Sequence, residues 1–318
     1  TFNITAVSKT AYINDAVFIS ESLSGTPSEI AKSVLKDYML TELTDEDETV
    51  GNISVNFTKT KPFSALQYLA DNAISADSSY GDNLFFAYDT VYGFKFNCTR
   101  TMVDSNTTHY YTHFPTNDQI DDADDFYRIL HHTQIVAGDK QLLISGGGLY
   151  NEVVLFNFIE RTIKSSQYNY DTDKEKVSLL GTNIDVSSLD VDPLQKFKDV
   201  KTTASSHNTK SNVVIACDET AYQREDFLSK KVMTSRAQMA LLRANTMTVK
   251  VTGNHEIIPG DILNIVFPAQ TDGSDVTSEY DKRLTGDWLV AGVRHDVSLG
   301  VAFDTILDLY KDSMDTTL

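Results

Sequence analysis

The sequence predicts an α+β protein, mainly β, with small antiparallel barrel or sandwich sheets, packed helices and a polar insertion. Three observations carry that prediction. Four successive runs in the C-terminal quarter alternate apolar and polar residues with the period of two that strands require. Two segments near the start open on helix-start chemistry and continue with apolar residues at helical spacing. Residues 170–222 are polar, rich in Asp and Ser, and show few periodic signals.

The elements follow in chain order. Phe2, Ile4 and Ala6 alternate with polar neighbours, and residues 17–20 form a second short run, so the first twenty residues read as extended. Thr26-Pro27-Ser28-Glu29 predicts a helix: Thr26 caps, Pro27 suits the first helical position, and Glu29 completes a capping box. The acidic stretch 44–49 reads as a loop. A second helix is expected from Lys61-Pro62, with Phe63, Leu66, Leu69, Ala70 and Ala73 on one face. A hairpin follows, 84–88 and 94–98, turning at Gly93. The segment 126–137 reads as a strand, and Ser145-Gly146-Gly147-Gly148 as a flexible joint. Residues 152–163 are apolar on both faces, the pattern of a strand buried between layers or at a subunit contact.

Within the polar stretch a short strand is expected at 213–216. A helix is expected at about 223–245, with Leu228, Val232, Met239 and Leu242 along one stripe. The last four strands are marked by Met247, Val249 and Val251, then Leu263, Ile265 and Phe267. Next come Leu289, Ala291, Val293, His295 and Val297, and finally Val301, Phe303, Leu307 and Leu309.

Composition narrows the function. The 318 residues carry 27 basic and 45 acidic side chains, a formal charge of −18. Generic duplex binding is disfavoured, because neutralising phosphates needs clustered Lys and Arg. No run of eighteen apolar residues marks a membrane span, and no basic-then-apolar signal opens the chain. Cys98 and Cys217 are the only cysteines, too few for a disulfide framework, and read as buried thiols from a reducing compartment. N-x-S/T triplets at Asn3, Asn52, Asn56, Asn97 and Asn106 follow from a chain rich in Asn, Ser and Thr rather than from glycosylation.

No catalytic constellation stands out. His131-His132 would point to opposite faces of a strand, and His109 and His113 lack a helical context for their spacing. His295 reads as a core histidine bonded to a carbonyl. The acidic clusters 121–125 and 272–275 lack the loop pattern of an EF-hand. We therefore expect no catalytic residue, no cofactor and no metal.

The segment 235–312 resembles a known family. Arg236 lies in SRAQMALLRAN. Gly253, Pro259, Gly260 and Asp261 lie in VKVTGNHEIIPGDILNIVFP, and Gly286, Val290 and His295 in the run from LTGDWLVAGVRHDV onward. This is similar to the C-terminal tube domain of the central baseplate hub proteins of contractile-tailed, T-even-like bacteriophages. Related barrels occur in type VI secretion spike proteins. Upstream, SGTPSEIAKSVL, KPFSALQYLADNA, FFAYDTVYGFKF and GGGLYNEVVLFNFIERTIKSS resemble family segments in the same order.

The resemblance implies small antiparallel barrel (tube) domains arranged as follows. Residues 1–22 are remnant strands of a first tube domain, and 23–116 a helical and hairpin wedge-like domain. Residues 117–169 are strands of the second tube domain, 170–222 an insertion, and 223–318 the helix and strands completing that tube. Family members carry further strands ahead of the segment that Thr1 begins, so an N-terminal portion is expected to be missing or the first barrel incomplete.

The implied function is structural. A homotrimer would adapt a sixfold tail tube to a threefold spike, meeting the tail tube protein, the central spike protein and the baseplate wedge proteins. The virion tail baseplate is the implied location, after synthesis in the host cytoplasm. DNA would pass without specific binding, past walls with more acidic than basic residues, and no membrane is involved. The suspected subunit contact is Val153, Leu155, Phe156 and Phe158. Two alternatives remain: a tail-associated cell-wall hydrolase, and a carbohydrate- or calcium-binding adhesion β-domain.

Overall fold

Ser8 starts a helix where extended chain is expected. Its hydroxyl accepts from the Ala11 N–H, and α1 (Lys9–Ala16) follows. The structure, a computed structural model, describes residues 7–76, 84–113, 125–136, 146–157, 161–173, 177, 180, 210–216, 225–268, 280–281, 284–298 and 302–312. Phe2, Ile4 and Ala6 lie outside them. Polar contacts from far along the chain hold α1. Thr10 bonds Asp89, Asn14 accepts from the Phe63 N–H at 2.9 Å, and Asp15 pairs with Lys61 at 2.6 Å. Periodicity cannot register such contacts, so over Lys9–Ala16 a helix stands where remnant strand is expected.

The chain divides into two units. The first comprises Thr1–Thr101, Val153–Ser166 and Val213–Ser235. In it β1 (Ser22–Gly25) leads into α2 (Pro27–Tyr38), whose capping box forms as the sequence predicts. Thr26 Oγ1 accepts from the Glu29 N–H at 3.3 Å, and Glu29 accepts from the Thr26 N–H at 2.9 Å. The Thr26 N–H bond is the main cause that holds the Glu29 carboxyl below its ordinary range.

The acidic stretch 44–49 is a loop only in its second half. Residues Leu43–Glu46 form β2, because its carboxylates find partners: Glu46 pairs with Lys32, and Asp45 accepts from Asn97 at 3.1 Å. Further on come β3 (Ile53–Asn56), antiparallel to β1, α3 (Pro62–Asn72), β4 (Phe85–Thr90), β5 (Gly93–Cys98) and α4 (Thr99–Val103). β2 runs parallel to β5 and β4 antiparallel to it, in the order β2-β5-β4. Asp47 ties the acidic run to the start of α4, accepting from the Cys98 N–H at 2.6 Å and the Thr101 hydroxyl at 2.8 Å. Ile30, Val34 and Leu35 of α2, Leu66 and Leu69 of α3, and Phe85, Phe94 and Phe96 make one core. Each such side chain contributes about 1.5–3 kcal/mol by leaving water.

The second unit comprises Met102–Glu152, Gln167–Asn212 and Arg236–Leu318. Its main sheet draws on β6 (Thr107–Thr112), β7 (Ile129–Val136), β11 (Asn245–Thr252), β12 (Ile262–Val266), β13 (Gly286–Ser298) and β14 (Ala302–Lys311). The order is β6-β12-β13-β14-β11-β7. Four of the five pairings are antiparallel, as the sequence predicts, while β6 lies parallel to β12. The unit therefore begins at Met102, earlier than the boundary expected at 116, because β6 bonds into this sheet. A 3-10 turn, Asp125–Tyr127, precedes β7, so that strand starts later than 126.

A separate three-stranded sheet has the order β10-β8-β9, with β8 (Tyr150–Asn157), β9 (Thr162–Asn169) and β10 (Lys210–Ala216). Short α5 (Tyr170–Asp173) follows β9, and α6 (Glu225–Leu242) precedes β11. Thr234, Ala237, Gln238 and Leu241 of α6 are buried, whereas Val232 and Met239 are only half-buried. Of the expected stripe Leu242 is buried, so the core stripe only partly coincides with it; the Leu228 side chain lies outside the described set. Gly146 of the expected joint serves close packing: a Cβ on it would stand 2.7 Å from the Ala240 Cβ.

Candidate functional site

The six-stranded sheet curls as a half-barrel around one apolar interior. Tyr111, Ile129, Val251, Leu263, Trp288, Val290, Leu307 and Leu309 meet there, from all six strands. Trp288 is 1% exposed and donates from Nε1 to the Leu284 carbonyl at 2.9 Å. Lys311, also 1% exposed, donates to the Thr285 carbonyl at 2.5 Å and lies 5.7 Å from the Trp288 ring centroid. A buried ammonium needs such partners to offset its lost hydration.

Several family-motif residues lie along the pairing of β12 with β13 inside this sheet. Pro259-Gly260-Asp261 turns into β12, with Gly260 at φ 93° and the Asp261 carboxylate accepting from the Ile258 N–H at 2.9 Å. The Gly260 N–H donates to the Val290 carbonyl at 2.9 Å, and the Val290 N–H donates to the Asp261 carbonyl at 2.9 Å. Gly286, at φ 122°, opens β13 opposite Ile265. Arg236 is exposed on α6 and stands apart from this turn in sequence.

Gly253 and His295 belong to a second cluster. The Gly253 N–H donates to the Phe303 carbonyl at 2.8 Å, and a Cβ there would stand 2.1 Å from the Phe303 ring. Thr305 is fully buried; its hydroxyl accepts from the Asn254 N–H at 2.9 Å and meets His295 Nδ1 at 3.1 Å. His295 is exposed and bound to a hydroxyl, which corrects the expectation of a core histidine on a carbonyl.

A β-bulge also breaks the alternation expected along β13. The register moves from Val290↔Leu309 to Gly292↔Asp308, so Ala291 is the extra residue. Val290, Val293, His295 and Val297 therefore share a face, while Leu289 falls on the other. Beyond the core the hairpin continues as an arm whose residues 294–298 are all exposed. Val297 and its partner Phe303 are 64% and 38% exposed.

The suspected contact strand is placed differently from expectation. β8 is the middle strand of its sheet, so both its edges are already paired. Val153 is fully buried within the single chain. Its side chain has no surface left for a subunit, which corrects its assignment as a contact. Leu155 and Phe156 lie on β8 with side chains outside the described set, and Phe158 lies outside the described residues.

No group of three or more His, Cys, Asp or Glu among the described residues is placed to hold a metal ion. The clusters 121–124 and 272–275 lie outside those residues. Cys98 is buried, and burial pushes its thiol above the ordinary value. Cys217 lies outside the described residues. Asn97 is 3% exposed, too enclosed to carry a glycan. No helix among the described residues is long and apolar enough to cross a membrane.

Sequence reasoning missed one cluster altogether. His113 and His132 have ring centroids 4.8 Å apart, and Phe267 lies 5.2 Å from the first and 5.5 Å from the second. Only the shared curl of β6 and β7 brings them together, and no local pattern encodes it.

No protein-family model matches the chain, nor does any curated protein. Among solved structures, the chain is similar to the tail protein from Neisseria meningitidis MC58. The TM-score is 0.50 and the identity 14%, over 95% of this chain and 72% of that one. At that identity the likeness is one of fold: a mainly β architecture with a curled half-barrel sheet and few helices.

Proposed function

We propose that the chain is a structural protein of a phage-type tail. In finer terms it is the central hub of a contractile-tail baseplate, a homotrimer that adapts a sixfold tube to a threefold spike. One observation carries the reading: the fold likeness to a tail protein extends over 95% of the chain. The ordered motifs of 235–312 support it, because Gly260, Asp261 and Val290 form one reciprocal turn that builds the sheet.

The hub reading gives the projecting arm a role. Val297 and Phe303 are cross-strand neighbours held in solvent by a long hairpin, an arrangement suited to burial against another subunit. The arm takes the place of Val153 as the proposed contact. Closed threefold symmetry would then limit assembly to a ring. Its partners would be the tube, spike and wedge proteins. The formal charge of −18 per chain suits a channel that passes DNA without holding it.

Light scattering on the purified chain tests the assembly. Three times 35.4 kDa, about 106 kDa, is expected, with Val297→Lys shifting the mass toward 35.4 kDa. A wild-type mass of 35.4 kDa at every concentration overturns the trimer.

A second reading, an adhesion domain that binds carbohydrate, is favoured by one observation. Phe126 and Tyr127 are 43% and 50% exposed, with rings 5.4 Å apart. Binding of oligosaccharides, lost on Tyr127→Ala with the fold intact, would favour it over the hub.

A further inference from the structure

The two outermost strands of the curled sheet come together at a seam. Among the described residues one parallel bridge joins them, Thr112↔Arg128. A single bridge is weak closure for a sheet edge, so side chains must supply the rest. They do so in two places. Tyr111 and Tyr127 have ring centroids 6.5 Å apart. One residue beyond the bridge, His113 meets His132 edge-on at 4.8 Å, interplanar angle 76°. Phe267 stacks on His113 at 5.2 Å and 23°, and presents its edge or face to His132 at 90°. His113 is fixed to the β12 side by its N–H, which donates to the Val266 carbonyl at 2.8 Å. His132 is fixed to the β7 side by its register with Val249. The ring trio therefore spans the seam.

We propose that this seam is a proton-operated latch, closed while His113 and His132 are neutral and loosened when both carry a proton. The neutral rings pack as aromatic neighbours. Two imidazolium groups at this separation repel, and the surroundings add to the repulsion. Arg128 acts on His113, and His131 acts on His132. On β11, Lys250 is the register partner of His131 and is paired with Asp304 of β14 at 2.7 Å. Asp281 is tied by its backbone N–H to the Phe267 carbonyl at 2.8 Å, and Tyr280 bridges Pro268. Tyr111, raised by burial, stays neutral throughout.

Burial first, then the neighbouring positive groups, hold both histidines below their usual value. The opened chain therefore binds more protons than the closed one just below about pH 6.5, the ordinary histidine value. The closing contribution is complete above about pH 6.5 and is lost as the pH falls through the histidines' own lowered values.

Hydrogen exchange on the full chain tests the latch, with rates corrected for intrinsic pH dependence. Between pH 7.5 and 5.0, segments 107–113 and 128–132 should exchange about tenfold faster, while β13 and β14 stay within about twofold. In His113→Phe/His132→Phe the response at the seam should vanish. Equal acceleration of seam and reference strands overturns the proposal, as does an unchanged seam or a response that survives in the variant. Should the double variant fail to fold, proton NMR titration of the native chain decides. Midpoints for both rings below about 6.5 support the latch, and either midpoint at or above it overturns the latch.

Discussion

Gly253 lies directly against Phe303. Its N–H donates to the Phe303 carbonyl at 2.8 Å, and a methyl group on its Cα would stand 2.1 Å from the ring. The contact fixes where β11 ends and where the projecting arm of β13 and β14 begins. A side chain at 253 must push the Phe303 ring from the arm, with consequences for both stability and assembly.

Gly253→Ala should therefore destabilise the chain by about 1–3 kcal/mol, the usual cost of overpacking. Urea unfolding of the single variant and of Gly253→Ala/Phe303→Ala checks it. The double variant should lose less than the sum of the two singles, because removing the ring removes the clash. Additive losses would show that the two residues do not press on one another.

The turn before β12 offers a second test. Gly260 sits at φ 93°, a region that an L side chain enters only under strain, while its N–H holds the Val290 carbonyl. Gly260→Ala should cost about 1–3 kcal/mol in denaturant unfolding. A neutral result would mean that the turn relaxes freely and does not hold β13.

Thr26→Ala removes one half of the capping box on α2. The expected loss is about 1 kcal/mol, since Thr26 satisfies the Glu29 N–H and orients the carboxylate that returns the bond. Thermal unfolding reads it directly. Thr26→Ser should retain most of the stability, and equal losses in both variants would discount the cap.

Cys98 should be inert in the native chain. Burial is the main reason its thiol is raised, and the side chain is enclosed by the first unit's core. In a Cys217→Ser background, alkylation at pH 8 should run at least about a hundredfold slower than in urea, equivalent to roughly 2.8 kcal/mol of local opening. Comparable rates in both conditions would contradict the burial.

Local chemistry was legible in the sequence, and long-range satisfaction was not. Thr26 and Glu29 act across one turn, so the cap could be read from four residues. Gly260, Asp261 and Val290 were singled out by the family resemblance alone, and their reciprocal bonding across two strands was not legible. β2 was hidden because its strand is acidic, and partners distant in sequence, Lys32, Lys95, Asn97 and the Cys98 N–H among them, make that acidity tolerable. The exposure of His295 was hidden because an alternating strand reads the same inside the core and on an arm that runs past it. Val153 carried the right burial and the wrong partner: an apolar strand looks the same whether its own chain or another covers it.

The most direct measurement is a cryo-EM reconstruction of tail particles containing this chain. The account predicts three copies in one ring around a channel between tube and spike, with the arms bearing Val297 and Phe303 buried between subunits. Acidic side chains should outnumber basic ones along the inner wall. A chain found outside such a ring, or in a ring without threefold symmetry, would contradict the account.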